Sequence, residues 1–388
     1  MHNQNPVFIP GPTNIPEALR RAVDMPTMDH RSAGFKDILH PALDGVKKVL
    51  KSETAEVFLF PSTGSGGWEA ALSNTLCKGD KVLACENGMF SQKWIDMCLR
   101  HGLEVEVVKV EWGMGIPADR FEEILSADRG HEIKAVLATH NETATGVVSD
   151  IAAVRGAINA AAHPALLFVD GVSSIGSMDF RMDEWGVDVA ITGSQKGFML
   201  PAGLAIAAFS PKASAMVERA TLPRWYFDIR DMRAGYAVNG FPYTPPVGMI
   251  NGLKMASEML LSEGLENVFA RHARIATGVR KGIAAWNMPL YAQSPELFSN
   301  SVSAIKTPDG YDANQIVTLA SDKYNTAFGG GLGQVAGKLF RIGHLGSLSD
   351  MMALSGLAVA EMCMKDLGFP ITLGAGVAAA QEHYRTSI

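Results

Sequence analysis

Between about residues 55 and 210 the chain alternates seven short apolar runs with amphipathic stretches, and this alternation restricts the fold more tightly than anything else in the sequence. The runs are AEVFLF, DKVLACE, EVEVVKV, IKAVLATH, ALLFVD, DVAITG and LAIAAFS. Segments such as GWEAALSNTL, SQKWIDMCLRHG, ADRFEEILSAD and IAAVRGAINAAAH lie between them and carry the apolar spacing of helices. Strand and helix taken in turn predict an α/β domain built on a largely parallel sheet with helices on both faces. In such sheets ligands bind beyond the carboxyl ends of the strands.

A Pro- and Gly-rich stretch, NGFPYTPPVG, follows, and then a long helical pattern through ENVFARHARIATGVRKGIAAW. SVSAIKT and LFRIGHLG read as further strands, ANQIVTLASDK and SDMMALSGLAVAEMCMKDLG as helices. These elements predict a smaller α+β domain beginning near residue 265. The chain's 388 residues suffice for two cores. A net charge of −6 gives no electrostatic reason to expect nucleic acid or an anionic membrane as partner. Neither a membrane span nor a signal peptide is read from the apolar runs or the N-terminus. Cys77, Cys85, Cys98 and Cys363 lack a C-x-x-C spacing and sit in apolar surroundings, which predicts buried thiols in a reducing compartment such as the cytoplasm.

Three strand ends carry chemistry-bearing residues. PSTGSGGWEAAL, at residues 61–72, places glycines and the Thr63 and Ser65 hydroxyls where a strand meets a helix, a natural cradle for phosphate; a plain flexible turn is the alternative. It lacks the Gly-Lys-Ser/Thr ending of a Walker loop. ALLFVDGVSS ends its strand on Asp170, which either faces the ligand crevice or caps the next segment. ITGSQKGFML sets Lys196 among apolar and small residues with no other charge nearby. Sequestration lowers a lysine's pKa, as Schiff-base chemistry requires, although a lysine with its head in solvent is the commoner strand ending. A phosphate cradle, a buried aspartate and a sequestered lysine are together the requirements of pyridoxal phosphate. In LFRIGHLG, Arg341 stands alone in an apolar strand, where its guanidinium wants a carboxylate, from a ligand or from a structural ion pair. No metal-ligand spacing and no Gly-x-Ser-x-Gly elbow is present. The glycine cluster GGGLG enters no βαβ unit and is discounted as a dinucleotide fingerprint.

GPTNIP, STGSGGWEAALSN, HNETATGV, FVDGVSSIGSMDF, GSQKGFMLPAG, PYTPPVG, EGLENVFARH and LFRIGHLG, in this order and over essentially the whole chain, resemble the class V, fold-type I aminotransferases that use glyoxylate. HPALLFVDGVSSIGSMDFRMDEWGVD and GAGVAAAQEHYR lean toward the members that take serine or aspartate. The resemblance implies a ping-pong transamination of glyoxylate to glycine, with L-aspartate as donor and L-serine, then L-alanine, as alternatives. Lys196 would form the internal aldimine and shuttle the proton, and Asp170 would keep the pyridinium nitrogen protonated. Thr63, Gly64, Ser65 and Gln195 would hold the phosphate, with Thr244 reaching across from a partner subunit. Val172 and Phe90 would pack on the two ring faces. Arg341 would clamp the substrate carboxylate, with the backbone near Gly11 helping.

The sequence departs from the mammalian alanine–glyoxylate pattern at three of these places. Phe90 stands for a tryptophan. Ala144 stands for a serine, so Thr143 or Thr145 would supply its hydrogen bond. Phe241 stands for a phosphate-binding tyrosine, which leaves Tyr243 as the replacement. The resemblance also implies an N-terminal arm at 1–20 that contacts a partner, a cofactor domain at 21–265, a small domain at 266–388, and a homodimer or dimer of dimers with shared sites. A donor's second carboxylate needs a cation, for which Arg31, Arg224, Arg230 and Arg233 are candidates. A class V lyase acting on cysteine or kynurenine would be a different chemistry on the same fold, and a non-catalytic scaffold would be expected to have lost Lys196 or Asp170.

Overall fold

A computed structural model describes residues 6–387. Its strands are β1 (Val7–Phe8), β2 (Glu56–Ser62), β3 (Lys81–Glu86), β4 (Glu104–Lys109), β5 (Ile133–Thr139), β6 (Asn141–Glu142), β7 (Val147–Val148), β8 (Leu166–Asp170), β9 (Val189–Gly193), β10 (Gly203–Phe209), β11 (Val302–Lys306), β12 (Ala327–Gly330) and β13 (Leu339–Gly343). The seven expected runs form one sheet in the order β2-β10-β9-β8-β5-β3-β4. Only β10 runs against its neighbours, pairing antiparallel with both β9 and β2. The cause is local: a short turn joins β9 to β10, and a parallel partner would need a long crossover. Lys196 therefore sits in that turn, which is closed by Ser194 N–H to Leu204 O at 3.0 Å and Leu200 N–H to Ser194 O at 3.0 Å.

The two-residue period of the strands decides which side chains meet which helices. Leu59, Val136, Leu167, Val169 and Ile206 pack against helices 36–49, 151–160 and 247–263. Phe58, Phe60, Leu137, Phe168 and Ile191 face the opposite way, with helices 64–75 and 89–100. Each such side chain, once fully buried, contributes about 1.5–3 kcal/mol of transfer free energy. β8 and β9 are buried along their whole length, so the site at their ends rests on the most enclosed part of the sheet.

The second core gathers Phe8, Ile275, Val279, Phe328, Phe340, Leu357 and Tyr384 around a sheet of order β1-β12-β13-β11. Its long helix is Leu265–Ala285. Within the segment read as an arm, β1 pairs with β12, Phe8 is in the small core and Leu19 is in the large one. Residues 1–5 of that segment lie outside the described residues. β1, β12 and the helix Ala375–Thr386 add to the elements read from sequence. Cys85, Cys98 and Cys363 are buried, and burial pushes each thiol up to about 12. Cys77 departs from the expectation in being only partly buried. No helix among the described residues is long and apolar enough to cross a membrane.

Candidate active site

Strand β2 delivers the chain to the helix Gly64–Thr75, and Thr63 holds the N-cap position without a side-chain cap. The N–H groups of Gly64 and Ser65 lie in the first turn, where no intrahelical acceptor exists. They point with the helix dipole toward a cavity of about 300 Å³. Gly64 is buried, whereas Thr63 and Ser65 are exposed. A Cβ on Gly64 would come within 2.5 Å of Val172 Cγ2, so the helix can enter here only on glycine. Across the cavity, the Gln195 amide oxygen is buried with no hydrogen-bond partner. Turning that amide presents its nitrogen as a donor.

Asp170 ends β8 with 5% of its surface exposed. One carboxylate oxygen accepts the Val172 N–H at 2.9 Å, and no ion pair reaches it among the described residues. Burial, reinforced by the negative charge of Glu142 and offset by that N–H, drives its carboxyl up to about 7. Lys196 faces the same cavity with Nζ donating to the Pro10 carbonyl. Burial and the charge of Arg341 push its ammonium down to about 8, and Asp170 opposes the shift. The segment around Pro10 is held onto the turn: Thr13 N–H donates to Gln195 O at 3.1 Å and Thr13 Oγ1 to Lys196 O at 3.2 Å. At Gly11, with φ of +119°, a Cβ would lie 2.5 Å from Lys196 Cδ, so only glycine lets the lysine pass.

Arg341 comes from β13 in the small domain and is 6% exposed. It donates from Nε to Gly330 O at 2.9 Å and from Nη1 to Thr143 O at 3.0 Å, and makes no ion pair among the described residues. Burial pushes its guanidinium down to about 10, against the favourable charge of Glu142. The glycine cluster finds its use here: a Cβ on Gly329 would meet Pro10 at 2.9 Å and Arg341 at 3.2 Å.

The structure thus brings Thr63, Gly64, Ser65, Phe90, Thr143, Asp170, Val172, Gln195, Lys196 and Gly11 to one cavity. Arg341 stands behind its wall through the Thr143 carbonyl. Thr145 does not line the cavity; its hydroxyl turns to Glu142 O at 3.5 Å. Tyr243 is stacked on Tyr226, with ring centroids 4.4 Å apart, and spends its hydroxyl on Tyr226 O at 3.1 Å. Thr244 and Arg31 are exposed and outside the lining. Arg224 donates to the carbonyls of Ser73, Ala220 and Val217, Arg230 pairs with Asp228, and Arg233 pairs with Glu56. Sequence reading passed over Trp68 and Ser173, which also line the cavity, and Glu142 beneath it. Ser173 Oγ accepts from Thr143 Oγ1 at 2.7 Å, and its place within FVDGVSS directly after Val172 was the available signal.

A sheet of this order with a lysine, a buried acid and a helix N-terminus converging at its strand ends defines a transferase of the aminotransferase class V type. That family's model matches residues 19–334, and the chain belongs to the family. It is 72% identical over 385 residues to the L-aspartate–glyoxylate aminotransferase of Paracoccus denitrificans, covering 99% of this chain and 97% of that protein. It is 51% identical to the serine–glyoxylate aminotransferase of Hyphomicrobium methylovorum, over 97% of this chain and 94% of that one. Among solved structures, the pyridoxamine–pyruvate aminotransferase of Mesorhizobium loti superposes with a TM-score of 0.92 at 27% identity, covering 100% of this chain and 99% of that one. The ureidoglycine–glyoxylate aminotransferase of Bacillus subtilis has the same fold, with a TM-score of 0.93 at 23% identity and 99% of each chain covered.

Proposed function

We propose that this chain is a pyridoxal-phosphate-dependent aminotransferase that converts glyoxylate to glycine with L-aspartate as the amino donor. The observation that carries the reading is a pair of buried charges that make no ion pair among the described residues: Asp170 has Lys196, and Arg341 has Glu142, only as a charge at longer range. A protonated ring nitrogen answers the first and an α-keto or α-amino acid answers the second. The orphaned Gln195 amide and the free first-turn N–H groups of the helix Gly64–Thr75 fit a phosphate in the same cavity. When bound, the cofactor supplies an electron sink for the bond broken at the substrate's Cα.

The chain's own residues then divide the work. Lys196 is the amine able to hold the cofactor's aldehyde, and its Nζ, neutral above about pH 8, takes and returns the proton at Cα. Asp170 holds the proton on the ring nitrogen. Gly64, Ser65, Thr63 and Gln195 orient the phosphate, while Phe90 and Val172 bracket the ring and exclude water. Arg341 fixes the carboxylate of donor and acceptor alike, so both substrates present their reacting carbon at one place. The reading includes a homodimer or dimer of dimers: Thr244 is exposed, and the flanking segments leave Trp225 and Val238 each 76% in solvent, apolar surface suited to a second copy.

The 72% relative favours aspartate over serine as donor. A panel of aspartate, serine and alanine with glyoxylate, followed by glycine formation, tests it. Aspartate is expected to give the highest kcat/KM. A higher value for serine would replace the donor, and no glycine from any of the three would remove the reading.

A further inference from the structure

Glu142 is a carboxylate that neither the family likeness nor the proposed chemistry uses. It is fully buried on β6 beside the cavity. Its Oε2 accepts the N–H groups of Phe90 at 2.9 Å and Ser91 at 3.0 Å, the opening residues of the helix Met89–Arg100. Its Oε1 accepts the Ala144 N–H at 3.0 Å. A capping carboxylate normally comes from the helix's own N-cap; here Gly88 holds that position and the cap is supplied by residue 142. The arrangement requires the glycine, because a Cβ on Gly88 would fall 2.1 Å from Glu142 Cγ.

The helix it caps puts Phe90 into the cavity wall as its second residue. The first turn of a helix frays unless its N–H groups are met, and a ring on a frayed turn cannot hold a stacking distance. We infer that Glu142 is a positioning residue for the cofactor, fixing the Phe90 ring against the cavity by bonding the backbone beneath it. The inference rests on the proposed cofactor chemistry and adds to it a residue that holds the ring through the backbone under Phe90, besides the negative charge it sets near Asp170 and Arg341.

The test measures pyridoxal phosphate affinity of the full-length protein by spectroscopic titration, independently of turnover. Glu142→Met keeps the side chain's length and removes both acceptors, and its cofactor Kd should rise about tenfold. Glu142→Gln retains one oxygen for the Phe90 and Ser91 N–H groups while turning its NH₂ toward the Ala144 N–H, so its Tm should fall but its cofactor Kd should stay within about threefold of wild type. Phe90→Ala should weaken the cofactor by itself, and Glu142→Met should cost nothing further in that background. Additive losses in the double variant, or a lowered Tm with unchanged Kd in Glu142→Met, would overturn the inference and reduce Glu142 to a fold residue. Should Glu142→Met not fold, hydrogen exchange in the wild-type protein decides: cofactor loading should slow the Phe90 and Ser91 amides, and should not slow the Ser91 amide in Phe90→Ala. Unchanged exchange in the wild type would also overturn it. Absence of any cofactor binding by the wild-type protein is a separate result, which would remove the proposed function itself.

Discussion

Two buried carboxylates, one in each core, show opposite management of the same cost. Glu361 in the small domain is 2% exposed and surrounded by donors: Trp286 Nε1 at 2.9 Å and Gly376 N–H at 2.6 Å on one oxygen, Gly374 N–H at 2.6 Å on the other. It pins the helix Ala375–Thr386 to the helix Asp350–Asp366, and nothing about it calls for a ligand. Asp170 is about as deeply buried, yet among the described residues it has one well-formed donor, the Val172 N–H, with the Trp68 indole only weakly directed at it and no ion pair. Burying an ionised group without partners is costly, so a fold retains such a group where a ligand completes it. Satisfaction marks structure and its lack marks the site; Lys196 and Arg341 fall on the same side of the line as Asp170.

The largest expected effect breaks the comparison at its most committed residue. On the proposed roles of Lys196 as cofactor-holding amine and proton carrier, Lys196→Ala should lower turnover by about 10³-fold or more. The visible absorbance of the bound cofactor should vanish with it. Retained absorbance would show that another amine holds the cofactor. Next in size is Arg341→Ala. Truncating one partner of a buried charged contact costs about 2 kcal/mol or more, which raises the KM for glyoxylate about thirtyfold. Cofactor content should be unchanged, and a loss of cofactor would place Arg341 in the structural class with Glu361.

How far this contrast was readable in sequence follows from the distances along the chain over which each contact is made. The seven large-sheet strands are continuous apolar runs, and the turn carrying Lys196 lies between two of them, so both were legible locally. Arg341 was legible because a lone guanidinium in LFRIG has no local partner. β1 and β12 were not, being two and four residues long and glycine-rich in the latter case, with no period to detect. Glu142 was invisible as a cap, since two of its three donors lie some fifty residues upstream. Tyr243 illustrates the converse: proximity to a substituted position suggests a phosphate contact, while its stacking on Tyr226 and the bond from its hydroxyl to Tyr226 O are contacts that sequence spacing does not disclose.

The smallest effect sharpens the comparison by its sign. In the apo protein Asp170 titrates near 7, against an ordinary aspartate value of 3.8. Between those two values the folded chain holds more protons than the unfolded one, so stability falls as pH rises through that window, and the full penalty is present above about pH 7. Asparagine carries no charge to desolvate and can still accept the Val172 N–H. Apo Asp170→Asn should therefore be more stable than wild type at pH 8, by about 1–2 kcal/mol once its own unpaired amide is set against the gain, a few degrees in Tm. Near pH 4 the advantage should disappear, because Asp170 is then protonated in the folded state. Glu361→Gln should move Tm the other way at pH 8, since either orientation of the amide turns an NH₂ toward backbone or indole N–H groups. Cofactor loading should stabilise wild type more than Asp170→Asn and leave the Glu361→Gln deficit as it was. If the two variants shifted Tm in the same direction, incomplete hydrogen bonding would not separate the site from the scaffold in this fold, and Asp170 would be as structural as Glu361.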